Sequence, residues 1–354
     1  MAGVYISYPF CAQKCTYCNF ASGVFPAALE PRYLDAVRTE LRNTEWQWTP
    51  ETVYLGGGTP SLIDSEALSA LLGEIPGDLW PEATMEAAPG GITPEKAAAW
   101  RRAGINRVSL GVQSFNAREL ARTGRKHTAE IVEREVAVLR EAGIGNFNID
   151  LIAGLPGQTL ESWNHSLDRV VSLNAPHVSV YMLEVDEDSR LGAEVMAFGK
   201  RYGAPDIPSD DLIADFYEIA VERLARAGID RYEISNFARP GSESRHNLKY
   251  WRREPYLGFG ADAHSFDGMW RWQNPESIEA YLCGSKPERT VADPTGEQFF
   301  LGLRLSKGIE GDWSAFRPAI ERLIRDGLLE SDRTALRLTP RGVLLSNEVF
   351  AEFV

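Results

Sequence analysis

Cysteine, histidine and positive charge are scarce in this chain. Four cysteines in 354 residues, three of them within eight positions, cannot supply the disulfide framework of a secreted scaffold and point instead to metal or redox chemistry. No stretch approaches the roughly 18 to 20 consecutive apolar residues of a membrane helix, so helical spanning is excluded while peripheral membrane contact stays open. Lys and Arg number 37 against 50 Asp and Glu, a formal charge of −13, which argues against a nucleic-acid partner held through its phosphates. The opening MAGVYISYPFCAQKCTYC has neither the basic leader nor the apolar core of a signal peptide, so a cytoplasmic location is expected. There is no internal repeat and no low-complexity tract.

What is present is a regular alternation. Runs rich in β-formers occur at 4–8, 52–57, 83–88, 107–112, 146–152 and 177–185, separated by helical patterns at 31–42, 65–72, 94–103, 129–142 and 160–173. Six strands with helices between them predict parallel βα units, and the strands read as near-continuous apolar runs of the kind buried in a partial (β/α)6 TIM-type barrel. Chemistry is then expected at the C-terminal ends of the strands. The pattern changes near residue 205. A long amphipathic helix over 210–227, the segment YEISNFA and a Gly- and Trp-rich region read as an extension of the barrel. From about 295 a helix-rich segment and the turn ALRLTPRG read as a small winged-helix-like appendage. The expected parts are 1–205 (partial barrel), 206–290 (extension) and 291–354 (C-terminal domain).

Cys11-x3-Cys15-x2-Cys18 places three thiolates on one short loop after the first strand, able to face a single [4Fe–4S] cube and leave one iron open. An open iron can chelate the amino and carboxylate groups of S-adenosylmethionine (SAM), and the reduced cluster can pass an electron to the sulfonium, releasing a 5′-deoxyadenosyl radical. A zinc-stabilised binding protein is the alternative, but structural zinc takes four protein ligands and the nearest histidine, His127, is over a hundred residues away in sequence. Tyr5 on the first strand and Tyr17 beside the last cysteine are placed to pack against the cluster. VYLGGGTPS puts Gly57 and Gly58 at the end of the second strand, where missing side chains let backbone approach a ligand. Glu86, Gln113 and Asp150 stand at further strand ends, offering acceptors for a ribose or amino group, and Arg125 offers a cation for a carboxylate.

With these residues assembled, the chain resembles the radical SAM family of oxygen-independent coproporphyrinogen III oxidases and heme chaperones, over nearly its whole length. The resemblance implies a radical SAM barrel in which Tyr5, Tyr17, Gly57, Gly58, Thr59, Glu86, Gln113, Arg125 and Asp150 serve SAM and Cys11, Cys15 and Cys18 hold the cluster. YEISNFARPG, HNLKYW and YLGFGADAHSF are similar to the heme-chaperone branch, whose HNxxYW element is implicated in heme binding. Phe20 stands where the oxidases have a further cysteine, and Cys11 follows only ten residues, without the arm that encloses an oxidase's porphyrin. Two departures from the family pattern are Ala88 in place of Asn and Ala153 in place of Tyr.

The resemblance makes His246 the candidate axial ligand of a heme, with Tyr250 and Trp251 as flat apolar surface for its face. From the residues alone a hydrogen-bonded structural histidine beside buried aromatics is the plainer reading. His264 is a second ligand or a pocket residue. The expected function is transfer of heme to an acceptor protein, with an electron donor for the cluster. The competing expectation is radical decarboxylation of a porphyrinogen.

Overall fold

The computed structural model describes every residue except Met1, Asp78, Lys286 and Arg333. The six predicted strands are present as β1 (Ala2–Tyr8), β2 (Pro50–Gly57), β3 (Glu82–Ala87), β4 (Arg107–Gln113), β5 (Asn146–Ala153) and β6 (His177–Met182), the last ending three residues short of the predicted run. Between them lie α1 (Leu29–Arg42), α2 (Ser65–Leu72), α3 (Pro94–Arg102), α4 (Ala117–Arg122), α5 (Ala129–Glu141) and α6 (Leu160–Ser172). Their starts carry the signals that end a helix's run of unpaired N–H groups. Asp64 accepts from Glu66 N and Ala67 N ahead of α2, and Thr159 and Ser162 form a reciprocal capping box at α6.

β1 to β6 pair in parallel and in sequence order. The chain continues through α7 (Arg190–Met196), α8 (Asp210–Arg226), β7 (Asp230–Arg231), β8 (Asn236–Ala238) and α9 (Arg245–Trp251), then β9 (Tyr256–Phe259), β10 (His264–Phe266), β11 (Trp270–Gln273), α10 (Ile278–Leu282) and β12 (Arg289–Val291). β9 pairs in parallel with the free side of β1, β10 to β12 follow it in antiparallel fashion, and β8 and β7 extend the other side beyond β6. The sheet therefore runs β12-β11-β10-β9-β1-β2-β3-β4-β5-β6-β8-β7, and its edges do not meet: the barrel is partial. The expected extension is thus partly strand, continuing the barrel's own sheet.

One expectation is corrected. The strands are not apolar on both sides but alternate. Val53 and Leu55 of β2, Ala83 and Met85 of β3, Val108 and Leu110 of β4, and Phe147, Ile149 and Leu151 of β5 are fully buried in the hydrophobic core between sheet and helices. The residues between them, such as Tyr54, Glu86, Ser109 and Asp150, face the lumen. Polar residues linked across strands line this inner face. Asn148 Nδ2 stands 2.7 Å from Ser109 Oγ and 2.9 Å from Ser179 Oγ, and Ser179 donates to Asn236 at 2.8 Å.

Beyond β12 come α11 (Pro294–Gly302), β13 (Ile309–Glu310), α12 (Arg317–Arg325), β14 (Leu329–Ser331), β15 (Ala335–Leu338), α13 (Pro340–Leu344) and α14 (Ser346–Phe350). β13, β15 and β14 form a separate antiparallel sheet. Phe299, Phe316 and Phe353 pack ring to ring at 4.8 to 5.2 Å. Among the described residues no helix is long and apolar enough to cross a membrane.

Trp163 ties the helical layer together. It is fully buried on α6, packs 5.9 Å from the Phe216 ring of α8 and donates its Nε1–H to Phe216 O at 2.7 Å. Trp163→Ala is expected to cost about 3–5 kcal/mol, read as a lower urea midpoint at unchanged slope.

Candidate cofactor site

The three clustered cysteines lie on the loop after β1, each half-buried and unpaired by disulfide. This loop is pinned from several sides. Gly58 N donates to Tyr8 O at 2.7 Å and Thr59 N to Phe10 O at 2.9 Å, so the glycine turn after β2 runs against the start of the loop. Gly23 N donates to Pro9 O and Cys11 N to Gly23 O, closing the loop's far end onto its beginning. Gln13 Nε2 reaches Gly124 O at 2.7 Å, Leu191 N donates to Thr16 O, and Asn19 Nδ2 reaches Asp186 at 3.1 Å. Burial pushes the Cys11 thiol up, Thr59 and Ser22 partly offset this through hydrogen bonding, and Cys18 and Cys15 add their own charge. Among the described residues, no three His, Cys, Asp or Glu side chains could hold a single metal ion.

The glycine turn explains itself sterically. Gly57 sits at φ 105°, which L side chains rarely adopt, and a Cβ on Gly58 would stand 2.7 Å from Phe10 O and 2.8 Å from Tyr8 O. Only bare backbone fits between the strand end and the cysteine loop.

Beneath this turn the predicted SAM residues converge on the lumen mouth. Tyr5 stacks on Tyr54 with ring centroids 6.1 Å apart. Tyr54 Oη donates to Glu86 Oε1 at 2.9 Å, and Gly57 N donates to Glu86 Oε2 at 3.2 Å. Ser109 Oγ and Asn148 Nδ2 donate to the two oxygens of Asp150 at 3.2 and 2.7 Å. Gln113 has φ 70°, where the β4–β5 register shifts, and its enclosed Oε1 has no hydrogen-bond partner among the described residues. Arg125 donates Nη1–H to Gly111 O at 2.8 Å. Burial works against its charge, but Tyr17 and Cys15 more than offset that, so Arg125 stays a cation beside the cysteine loop. Burial pushes Glu86 up to about 7, with the Asp150 charge adding, while Tyr54 and Gly57 pull it down. An unpartnered buried acceptor, a bare backbone turn, two carboxylates and a fixed cation suit a zwitterionic nucleoside ligand placed against the three cysteines.

The heme candidates are elsewhere. β2 and β3 begin at the end of the barrel opposite the cysteine loop, and α9 is drawn into that end. Glu82, the first residue of β3, accepts from Arg245 N and His246 N at 2.9 Å each, capping the helix from inside the barrel. His246 is fully buried there. Its Nδ1 is 2.8 Å from Thr52 Oγ1, its Nε2 is 2.8 Å from Tyr250 Oη, and its ring stacks on Tyr54 at 5.2 Å. Burial, aided by Lys249 and Arg107, lowers its pKa to about 3, so the ring is neutral. Tyr250 packs edge-on against Tyr256 at 4.6 Å, and the Arg304 guanidinium lies 4.3 Å over Trp251. As folded, both ring nitrogens of His246 are engaged, and the element lies at the barrel floor. His264 is exposed on β10.

Sequence reasoning passed over Glu82, Thr52 and Tyr54. Their signal was the period-two spacing Thr52-x-Tyr54 and Glu82-x-Thr84-x-Glu86, which puts polar residues on one strand face ending at the site.

Residues 5–170 match the radical SAM superfamily and residues 291–345 match the HemN C-terminal domain. The chain is 36% identical to the heme chaperone HemW of Bacillus subtilis, over 100% of this chain and 99% of that protein. It is 36% identical to HemW of Escherichia coli, over 99% and 97% of the two chains. It belongs to the HemW family. Among solved structures, coproporphyrinogen III oxidase (HemN) from Escherichia coli superimposes with a TM-score of 0.85, covering 99% of this chain and 89% of that one at 24% identity, a likeness of fold. The radical SAM fold of the HemW family is thus the frame in which the open barrel and its cysteine loop are set.

Two outcomes follow from the lumen. Glu86 holds its proton to a higher pH in the folded chain than in the unfolded one, so its stabilising contribution is complete below the unfolded value near 4.5 and is lost as pH rises through about 7. In protein free of cofactor, Glu86→Gln should remove a stability loss on the order of 2 kcal/mol across that window, with partial screening by the open mouth included, as measured by urea unfolding at several pH values. His246→Ala leaves the Thr52 and Tyr250 hydroxyls without their partner and should cost on the order of 2 to 3 kcal/mol, read as a lower unfolding midpoint in heme-free protein. A variant as stable as wild type would rule out this role.

Proposed function

We propose that this protein is a heme chaperone that carries a [4Fe–4S] cluster with SAM and passes heme to an acceptor protein. The observation that carries this reading is the similarity to curated heme chaperones over nearly the whole of both chains. Cys11, Cys15 and Cys18 would hold the cluster. Tyr5, Tyr17, Gly57, Gly58, Thr59, Glu86, Gln113, Arg125 and Asp150 would surround SAM, whose one-electron cleavage is the chemistry that cofactor pair supplies when bound. The chain's own part is to orient: Glu86 and Asp150 present acceptors held in place by neutral donors, Gln113 offers an unused carbonyl, Arg125 holds a positive charge beside the cysteine loop, and the glycine turn lets backbone stand against a ligand.

His246, Tyr250 and Trp251 would contact the heme; in the folded chain the two ring nitrogens of His246 stand 2.8 Å from Thr52 Oγ1 and Tyr250 Oη. We further read the chain as three parts, 1–205, 206–290 and 291–354. We place it in the cytoplasm, with a heme acceptor and an electron donor as partners. The oxidase reading draws on likeness of fold, which is shared by proteins of different activity.

Anaerobic reconstitution with iron and sulfide tests both readings. About four irons per chain are expected in wild type, and Cys11→Ser, Cys15→Ser or Cys18→Ser should lose most of that iron and the visible charge-transfer absorption. Heme titration of the same protein should give near-stoichiometric binding, with no carbon dioxide released from coproporphyrinogen. Turnover of coproporphyrinogen without specific heme binding would replace the chaperone by the oxidase.

A further inference from the structure

Arg304 stands just past α11, where the C-terminal part of the chain meets the barrel, and main-chain ties fix its place. Ser306 N donates to Tyr232 O at 3.0 Å, Ser306 Oγ donates to Arg231 O at 2.9 Å, and Leu305 bridges to Glu233. From this position the Arg304 guanidinium lies 4.3 Å over the ring of Trp251 on α9 and 6.0 Å from that of Phe350 on α14. Its ion-pair partner is Glu233, but Glu233 Oε2 is 3.7 Å from Nη2, beyond hydrogen-bond distance. Glu233 is fully buried, and Ser235 N and Asn236 Nδ2 tie its Oε1 at 2.9 and 2.5 Å, which keeps the carboxylate at that remove.

The side chain of Arg304 therefore makes no hydrogen bond among the described residues. Its Nε is enclosed and unpartnered, and so are Trp251 Nε1 and Glu233 Oε2. Nη1 and Nη2 are equally without partners but not enclosed, and a quarter of the side chain is exposed. A guanidinium brings five donors in a planar fork and does not shed its proton when they go unused. The other charges around the junction are engaged or solvated. Lys249 is paired with Glu51 and Glu254 at 2.8 and 3.0 Å, and Arg253 and Arg271 both hold Glu297. Arg231 lies beside Tyr217, and Arg252, Lys307 and Glu348 are exposed. Arg304 is thus a fixed cation with an idle fork, set against one of the flat side chains expected to meet heme. Heme joins a flat apolar ring to two propionates, and a planar fork is the geometry that takes a carboxylate through two parallel hydrogen bonds. Glu233 offsets the charge of the guanidinium through space without occupying its donors.

We propose that Arg304 anchors heme by a propionate, so that the C-terminal part of the chain takes a direct share in holding the ligand. The inference rests on the reading of Trp251 as a heme contact.

The test is titration of the anaerobically reconstituted full chain with heme and with heme dimethyl ester, whose propionates are capped and uncharged, in one detergent solution and followed by visible spectra. Wild type should bind heme at least about tenfold more tightly than the diester. Arg304→Gln should lose about that factor for heme and little for the diester, so that the preference collapses, and Arg304→Lys, which keeps the charge without the fork, should fall between. Glu233→Gln removes the competing carboxylate and should tighten heme binding severalfold with the diester unchanged. Equal affinity of wild type for the two ligands, a preference that Arg304→Gln retains in full, or a loss in Arg304→Gln that is the same for both ligands overturns the inference. The heme reading then still stands if Trp251→Ala weakens both ligands. Wild type that binds neither ligand, or Trp251→Ala that changes neither affinity, overturns the heme reading itself. If Arg304→Gln does not fold, Glu233→Gln decides: tighter binding of heme alone supports the anchor, and any other result overturns it.

Discussion

The backbone bond from Gly58 N to Tyr8 O, 2.7 Å long, and its neighbour from Thr59 N to Phe10 O carry the pairing of the first two strands past their ends and into the cysteine loop. Through them a rigid sheet dictates where three thiols stand. The turn that makes these bonds has no room for a side chain at Gly58 and needs the left-handed backbone of Gly57, so the same few atoms fix the loop above and clear the space below it. The remaining ties to Gly23, Gly124, Thr123 and Asp186 hold the rest of the loop over the barrel mouth. A site assembled this way is precise because its support is main chain hydrogen-bonded to main chain.

The lumen is the second constraint. Helices cover one face of the strands and take the apolar residues; the other face is left to polar groups that must satisfy one another. They do so in two tiers. Near the mouth, Tyr54, Ser109 and Asn148 hold Glu86 and Asp150. At the floor, Glu82 anchors the start of α9 and Thr52 and Tyr250 take both nitrogens of His246. Tyr54 belongs to both tiers, bonded to Glu86 and stacked on His246, so the sequence element expected to meet heme is in physical contact with the residue that holds Glu86.

Much of this was legible in the sequence, for identifiable reasons. The six strands announced themselves because each is short, rich in β-formers and bounded by a helical pattern. That the three cysteines share one loop after the first strand was legible from their spacing, and that Glu86, Gln113 and Asp150 lie on the barrel strands was legible from the strand pattern. The inward face was misjudged: RVSLGV and NFNIDLI look apolar as wholes, and only their odd and even positions taken apart reveal a polar lining. Glu82 was passed over because it sits at the start of a strand, where function is not sought. β10 to β12 went unseen because strands of three or four residues are defined by their partners more than by their own composition. His246 shows the limit of motif reasoning most clearly, since one residue pattern serves a ligand and a hydrogen-bonded plug equally well.

The pairing of β9 with β1 has a consequence in time. Gly3 lies opposite Tyr256, so the strand that leads into the cysteine loop gains its outer neighbour only after about 250 further residues exist. At ordinary rates of synthesis that is a wait of roughly 10 to 50 s, during which the first strand has one open edge and the floor of the barrel has no α9 to close it. The earliest cysteines to leave the ribosome thus belong to one of the last parts of the sheet to be completed. Any cluster seated on them is held firmly only in a nearly finished chain, and the nascent protein depends in that interval on whatever keeps bare thiols and an open strand edge from meeting the wrong partner.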